Sequence, residues 1–249
     1  MADKNLNELL KWSIENTAPT NGSAPTGDAA AASSQPDNTT STSTPLNAEA
    51  LAQIMGAPSD AELMQASLAH ITSSDPEITL ESKLTAFDNL EQLVESLDNA
   101  NLLARLGLWT PLLALLGHEE TALRRMAAWC VGTAVQNNAP CQERLVALGG
   151  VEKLVAMAMG RRVAGGDGAA AAANGTSGEE AAEPETQDVR RKAVYALSSA
   201  VRNYQPAMDV CAAELRKHGE TAVEGKVDAT DMDAVDEVIN GVKQKAFGA

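Results

Sequence analysis

Aromatic residues are scarce in this chain, and so are long apolar runs. Phe, Trp and Tyr together make up 3% of the 249 residues, although 44% of all residues are hydrophobic. A core built mainly from Leu, Val, Ala and Met favours helices packed on helices over β-sheets. No stretch approaches the roughly 20 apolar residues of a membrane-spanning helix. The first ten residues include Asp3 and Glu8 and lack the apolar run of a signal peptide.

Basic residues are also in deficit, and cysteines are few. Lys and Arg number 19 against 34 Asp and Glu, so the formal net charge is −15. A chain this acidic repels phosphate, which disfavours nucleic acids and anionic membranes as partners. Cys130, Cys141 and Cys211 form an odd, sparse set that indicates a reducing compartment. We therefore expect a cytoplasmic protein.

Motifs of catalysis and metal binding are missing. None of the three histidines has a cysteine, histidine or carboxylate partner at metal-ligand spacing. There is no nucleophile-elbow serine and no phosphate-binding P-loop, and the glycine run at 165–168 follows no strand. Cys130 lies in an apolar helix and is expected to be a small core residue. A solvated charge run is predicted for Glu179, Glu180, Glu183 and Glu185. We predict no enzymatic activity, no metal and no cofactor.

Low-complexity segments divide the chain. Residues 17–45 are rich in Thr, Ser, Ala and Pro and contain almost no large apolar residue, so they cannot offset the entropy of ordering. A second such stretch, rich in Gly, Ala and Glu, runs from 160 to 187. The predicted organisation is a short amphipathic helix at 1–16, a disordered linker at 17–46, a helical domain at 47–217 with a flexible insertion at about 160–187, and an acidic tail at 218–249.

Apolar periodicity marks the helices. A spacing of three or four residues predicts one amphipathic helix over 80–97, with a face of Leu84, Phe87, Leu90, Val94 and Leu97. The tail carries a similar stripe of Met232, Val235, Val238, Ile239 and Val242. Whether this tail helix caps the helical domain stays open.

Internal repetition is the strongest signal. Residues 103–107 align with 145–149 at an offset of 42 residues (from 103 to 145). The segment that starts at Arg124 aligns with the one at Arg190 at an offset of 66 residues, and the excess contains the predicted insertion. A unit of about 42 residues with two or three helices is typical of armadillo and HEAT repeats. The sequence therefore predicts an all-α repeat solenoid.

The third helix of each unit offers candidate partner-binding residues. These helices are predicted at 122–138 and 189–204, and their last residues are Gln136, Asn137 and Asn138 in one, and Arg202, Asn203 and Tyr204 in the other. Their polar groups suit a protein partner, but Asn137 and Asn203 also suit capping of their own helices. Both interpretations stay open.

Two further pairs of matched residues have two interpretations each. Trp129 and Tyr195 serve either core packing or partner anchoring. The arginines at 124, 125, 190 and 191 oppose the dipole at a helix start. Either an acidic partner or a salt bridge to Glu119, Glu120 or Glu185 would compensate for their unfavourable positive charge.

Several ungapped blocks, taken together, resemble one family. The blocks at 6–16, 86–90, 97–101, 132–138 and 192–203 resemble the fungal armadillo-type exchange factors for 70-kilodalton heat-shock chaperones. The resemblance covers 1–16 and roughly 47–217. It implies that the repeats bind the ATPase domain of a cytosolic chaperone as a monomer, so that ADP leaves and the client is released. A passive armadillo scaffold for an extended peptide is the alternative.

The resemblance also implies where the partner sits. It places Asn99, Ala100 and Asn101 at the interface, with Ala100 as a close-contact position. On that basis, Ala100→Arg is expected to block binding while the fold stays intact.

The N-terminal arm is implicated by the same resemblance in clearing clients from the chaperone. Its apolar residues, Leu6, Leu9, Leu10, Trp12 and Ile14, resemble what a peptide-binding cleft accepts from unfolded chains. We hypothesise that the arm mimics a client.

Deletion of residues 2–16 tests this hypothesis. Because the arm is expected to act separately from the repeats, ADP release should keep its full rate while displacement of a labelled model peptide becomes slower. If the helix instead docks permanently on the first repeat, the deletion will lower the melting temperature and impair both activities together.

Overall fold

The fold consists of helices throughout the described part of the chain. The computed structural model describes residue 56 and residues 58–163, 184–219 and 225–248, and within them there are ten α-helices, one 3-10 turn and no strand. The helices are α1 (Asp60–Thr72), α2 (Leu80–Val94), α3 (Leu97–Arg105), α4 (Trp109–Ala114), α5 (Thr121–Val135), α6 (Ala139–Ala147), α7 (Gly150–Ala158), α8 (Gln187–Val201), α9 (Gln205–Lys217) and α10 (Met232–Phe247), with the 3-10 turn at Leu115–Gly117. The predicted N-terminal helix and linker, and residues 164–183 of the insertion, lie outside the described residues.

Two successive three-helix units confirm the armadillo-like prediction. The first unit is α3, α4 and α5, and the second is α6, α7 and α8. Each begins with a nine-residue helix and ends with a fifteen-residue helix. Before them, α2 is a further fifteen-residue helix that packs on α5. The long helices α2, α5 and α8 are therefore the equivalent third helices of a repeat array.

These third helices run in the same direction. Near the amino end of α5, Arg124 contacts Glu185, which lies just before α8. Near the carboxyl end of α5, Thr133 contacts both Glu91 of α2 and Tyr195 of α8. Ten of the fifteen residues of the central helix α5 are buried. We call the row of partly exposed side chains along α2, α5 and α8 the stacked-helix face.

The last helix, α10, packs on α8 in the opposite direction. Lys245 at its carboxyl end accepts a hydrogen bond from Arg190 in the first turn of α8, whereas Asp236 near its start pairs with Arg202 just past the end of α8. The apolar stripe of the predicted tail helix is largely buried, at Val235, Val238, Ile239 and Val242. The helix thus caps α8, which answers the question that the sequence left open about the tail helix.

The predicted helix over 80–97 is wrong at its end. The helix stops at Val94, because Ser96 takes an extended backbone conformation and starts α3. Leu97 then becomes the first residue of α3, and 57% of its surface is exposed. The apolar spacing continues from α2 into α3, so periodicity alone does not reveal the boundary between the two helices.

Glu185 corrects the predicted extent of the insertion. Both of its carboxylate oxygens accept hydrogen bonds from the Arg124 guanidinium, at 2.7 and 2.8 Å, and both side chains are buried. Its main-chain N–H donates to the carbonyl of Gly160 at 2.8 Å. Glu185 is therefore not part of a solvated charge run, and the salt-bridge interpretation of Arg124 is confirmed.

The three cysteines are buried and free. Burial raises the pKa of the Cys141 thiol to about 11 and that of Cys211 to about 12, and it also raises the pKa of Cys130. Burial disfavours the charged thiolate, so all three remain neutral thiols at neutral pH. Cys130 is a core residue, as predicted. Within the described residues, no single helix is long and apolar enough to cross a membrane.

Ala100 is buried, with 1% of its surface exposed, and its carbonyl accepts a hydrogen bond from the Cys141 thiol at 3.3 Å. Its side chain therefore has no access to a partner, and the expectation that Ala100→Arg leaves the fold intact loses its basis.

We expect Ala100→Arg to lower the free energy of unfolding by about 3–5 kcal/mol, because it buries an unpaired charge. Urea denaturation measures this loss. Ala104→Arg is the matched control, since Ala104 is exposed on the same helix, and it should change stability by no more than about 0.5 kcal/mol. Equal stability of the two variants would contradict the burial of Ala100.

Candidate functional site

A cleft lies on the stacked-helix face at the carboxyl ends of α2 and α5. Its volume is about 390 Å³. The residues that line it are Glu91, Val94, Glu95, Leu97, Thr133, Gln136, Asn137 and Tyr195. The structure thus brings two of the predicted partner-binding residues, Gln136 and Asn137, together with side chains of three neighbouring helices.

Polar contacts in this cleft link the three third helices. The Thr133 hydroxyl donates to the Glu91 carboxylate at 2.7 Å. The Tyr195 hydroxyl lies 3.5 Å from the Thr133 hydroxyl and donates to the Gln136 side-chain oxygen at 3.5 Å. Glu91 is 8% exposed, so its charge sits at the floor of the cleft beside these partners. The network fixes the orientation of Tyr195 toward the cleft.

A lysine and two aromatic rings form a second cluster on the same face. The Lys192 amine lies 3.5 Å from the ring centroid of Trp129 and 5.8 Å from that of Tyr195. Burial lowers the pKa of Lys192, and the nearby Glu91 carboxylate acts in the opposite direction. Trp129 and Tyr195 are both half-buried. Each ring therefore packs within the fold and also presents surface to solvent, so the two interpretations of these residues are compatible.

A glycine permits the close approach of α5 and α8 below this cluster. A Cβ atom on Gly132 would lie 2.6 Å from Cε1 of Tyr195 and 3.0 Å from Cα of Ala196. Distances this short are repulsive for carbon atoms. Gly132 is thus the contact point that lets the Tyr195 ring pack against the backbone of α5.

Asn137 and Asn203 both have left-handed backbones, with φ of 52° and 56°. They occupy matched positions just past the ends of α5 and α8, where a left-handed residue terminates a helix. This geometry confirms the capping interpretation. Both side chains are nevertheless exposed, and Asn137 also lines the cleft.

Other predicted residues have contacts within the fold. Buried Asn99 donates to the Asp60 carboxylate at 2.7 Å and to the carbonyl of Leu93 at 3.0 Å. Buried Asn138 accepts from the Cys141 N–H as the N-cap of α6. Arg202 pairs with Asp236, and half-buried Tyr204 precedes α9. Asn101 and Asn203 are exposed, and the arm residues 6–14 lie outside the described residues.

Sequence reasoning missed the residues that assemble the cleft. Glu91 and Thr133 are separated by 42 residues, which is the repeat offset. A comparison of residues one repeat apart would therefore have paired them. Gln142 was also missed. Its amide group donates to the carbonyls of Ser199, Ala200 and Arg202, at 3.0 to 3.1 Å, and so ties α6 to the end of α8.

Comparison with known proteins supplies an independent finding. Residues 6–103 match the family model described as nucleotide exchange factor Fes1. The chain is 52% identical to the Hsp70 nucleotide exchange factor fes-1 of Neurospora crassa, over 99% of this chain and 100% of the relative. It is 53% identical to the Hsp70 nucleotide exchange factor FES1 of Gibberella zeae and 42% identical to that of Coccidioides immitis, with 97% or more of each chain covered.

We expect Gly132→Val to lower the free energy of unfolding by about 1–3 kcal/mol, because the added methyl groups overlap Tyr195 and Ala196. Tyrosine fluorescence should also report displacement of Tyr195 from the cleft, read in a Trp-corrected difference spectrum. Gly241→Val is the control, since Gly241 in α10 has no atom within 4 Å of an added Cβ. It should stay within about 0.5 kcal/mol of the parent protein. A smaller loss at Gly132 than at Gly241 would contradict the close approach.

Proposed function

Since the chain belongs to the Fes1 family of nucleotide exchange factors, we propose that it binds an Hsp70 chaperone and accelerates the release of ADP from it. The observation that carries this proposal is the 52% identity to the Neurospora crassa exchange factor over 99% of the chain. A protein of this family is a cofactor of a chaperone, and the reaction at the nucleotide is the chaperone's own. The finer parts of the proposal are that the chain acts as a cytosolic monomer and binds the ATPase domain.

The proposed mechanism is selective binding of one conformation of the chaperone. The stacked-helix face binds one lobe of the ATPase domain when its nucleotide cleft is open. A ligand shifts a conformational equilibrium only as far as its affinities for the two states differ. Bound ADP must then weaken binding of the exchange factor by the same factor by which the exchange factor weakens binding of ADP. Loss of ADP and entry of ATP lead to release of the client.

The chemistry of the stacked-helix face supports its role in this binding. Trp129, Tyr195 and Arg125 are partly exposed there, and residues of these types contribute most to the energy of protein interfaces. Lys192 and the Glu91 network hold the two rings in place before a partner arrives. Side chains that are already ordered lose less entropy on binding.

The polar residues at the carboxyl end of this face supply candidate hydrogen bonds. Gln136 and Asn137 are exposed just past the end of α5, and Asn203 is exposed just past the end of α8. By contrast, the buried positions of Asn99, Ala100 and Asn138 support a role in holding this end of the array together. We therefore place the contact with the chaperone at Gln136 and Asn137, with Tyr195 as the neighbouring anchor.

Release of a fluorescent ADP from a purified Hsp70 chaperone tests the proposal. The full chain should accelerate this release, and Gln136→Arg should reduce the acceleration about tenfold or more at a limiting concentration of the exchange factor, because a long charged side chain blocks the cleft. Gln65→Arg is the matched control on the exposed side of α1. This variant should accelerate the release of ADP as much as the parent chain does.

The outcomes separate the function from its location. If the parent chain leaves ADP release unchanged but still binds an extended peptide, the passive scaffold is correct and the exchange function is wrong. If the parent chain accelerates release but both variants match it, the function stands and the assignment of the cleft fails.

A further inference from the structure

The cleft on the stacked-helix face has an acidic lining. Glu91 in α2 and Glu95 just past the end of this helix bring two carboxylates to it, and no described residue that lines it is basic. The other polar groups of the lining are uncharged hydroxyls and amides. The cleft volume of about 390 Å³ is near the lower end of the range for ligand pockets, which is roughly 300–1,000 Å³. A single side chain of a partner suits a space of this size.

Glu91 keeps free acceptor capacity although it is buried. Its Oε1 accepts the hydrogen bond from the Thr133 hydroxyl at 2.7 Å, and only 8% of the residue is exposed. The described part of the chain provides no hydrogen-bond donor to Oε2. A carboxylate can accept hydrogen bonds at about four positions. Most of the capacity of Glu91 is therefore left for a group that enters the cleft.

Lys192 compensates the charge of Glu91 only from a distance. Burial lowers the pKa of Lys192, and the Glu91 carboxylate opposes this shift, so the two groups attract each other. The Lys192 ammonium nevertheless lies 3.5 Å from the ring centroid of Trp129, and Lys192 does not line the cleft. Among the residues that the structure describes, neither Glu91 nor Glu95 forms an ion pair.

A carboxylate in the floor of the cleft is costly if it serves the fold alone. Removal of a charge from water opposes folding unless a counter-charge and hydrogen bonds compensate for it. Glutamine has the same length as glutamate, and its amide oxygen would accept the hydrogen bond from Thr133 without this cost. The negative charge of Glu91 therefore indicates a cationic ligand.

We propose that the cleft binds an arginine side chain of the partner, whose guanidinium group pairs with Glu91 and Glu95. The partner is the Hsp70 chaperone of the proposed function, on which this assignment rests. A guanidinium group has five N–H donors in a rigid plane, which suits two carboxylates with amide oxygens beside them. It is also more weakly hydrated than the ammonium group of lysine, so it enters a cleft at a smaller cost.

Titration of the full chain with N-acetyl-arginine methylamide at low ionic strength tests the site without the chaperone. The backbone amide resonances of Gln136 and Asn137 should shift saturably, because both residues line the cleft. The corresponding citrulline compound has nearly the same shape without the charge, and it should cause no shift. The corresponding lysine compound should bind about threefold more weakly or worse.

Glu91→Gln is the decisive variant, because it removes the charge and retains an acceptor for Thr133. It should weaken binding of both the arginine compound and a purified Hsp70 chaperone about tenfold or more. Its melting temperature should not fall below that of the parent protein. Glu81→Gln is the matched control, since Glu81 is exposed in the same helix and its replacement changes the net charge equally. This control should bind both ligands as the parent does.

The outcomes separate the arginine site from the proposed function. Absence of a saturable shift, equal affinity for the citrulline or the lysine compound, or equal losses of affinity in the two variants would overturn the arginine site. A lower melting temperature of Glu91→Gln would also overturn it, because the carboxylate would then serve the fold. If the parent chain binds the arginine compound but leaves the release of ADP unchanged, the arginine site stands and the exchange function fails.

Discussion

The packing contact between α5 and α8 is the interaction on which the rest of the structure depends. It combines a close approach at Gly132 with a buried ion pair between Arg124 and Glu185. The glycine sets the distance between the helices, and the ion pair sets their register and direction. A buried ion pair contributes little net stability, but loss of one partner leaves a charge without compensation. Its role here is to specify one arrangement, in which the aromatic rings and polar ends of both repeats meet on one face.

Local sequence patterns predicted the helices. They did not predict which residues are buried by contacts with distant parts of the chain. Periodicity and the repeat offset located most of the helices in the described domain, and glycine and asparagine marked their ends. The burial of Glu185 depends on an arginine 61 residues away, so no local pattern contained it. The same holds for buried Ala100, whose carbonyl accepts a hydrogen bond from Cys141 in the next repeat. Leu97 shows that a local pattern can also mislead, because its apolar spacing continues across the boundary between two helices.

The candidate site was predicted in part for the same reason. Gln136 and Asn137 were found because they end a third helix, which is a local property. Glu91, Thr133 and Lys192 were missed because their importance comes from helix stacking, in which each repeat supplies one member of a shared network. In repeat proteins, each unit contacts only its neighbours. A site at such a junction is visible in sequence only when residues one repeat apart are compared directly.

The hydrogen bond between the main chains of Gly160 and Glu185 brings the two ends of the insertion together. The spacing of α7 and α8 is therefore set at this bond and does not depend on the number of residues that separate Gly160 from Glu185. The entropy of closing a loop grows slowly, by about 0.6 kcal/mol for each doubling of its length. This junction is thus a place where the chain tolerates gain or loss of residues while the repeat array stays unchanged. It also offers a point for attaching a fluorescent or affinity label without disturbing the stacked helices.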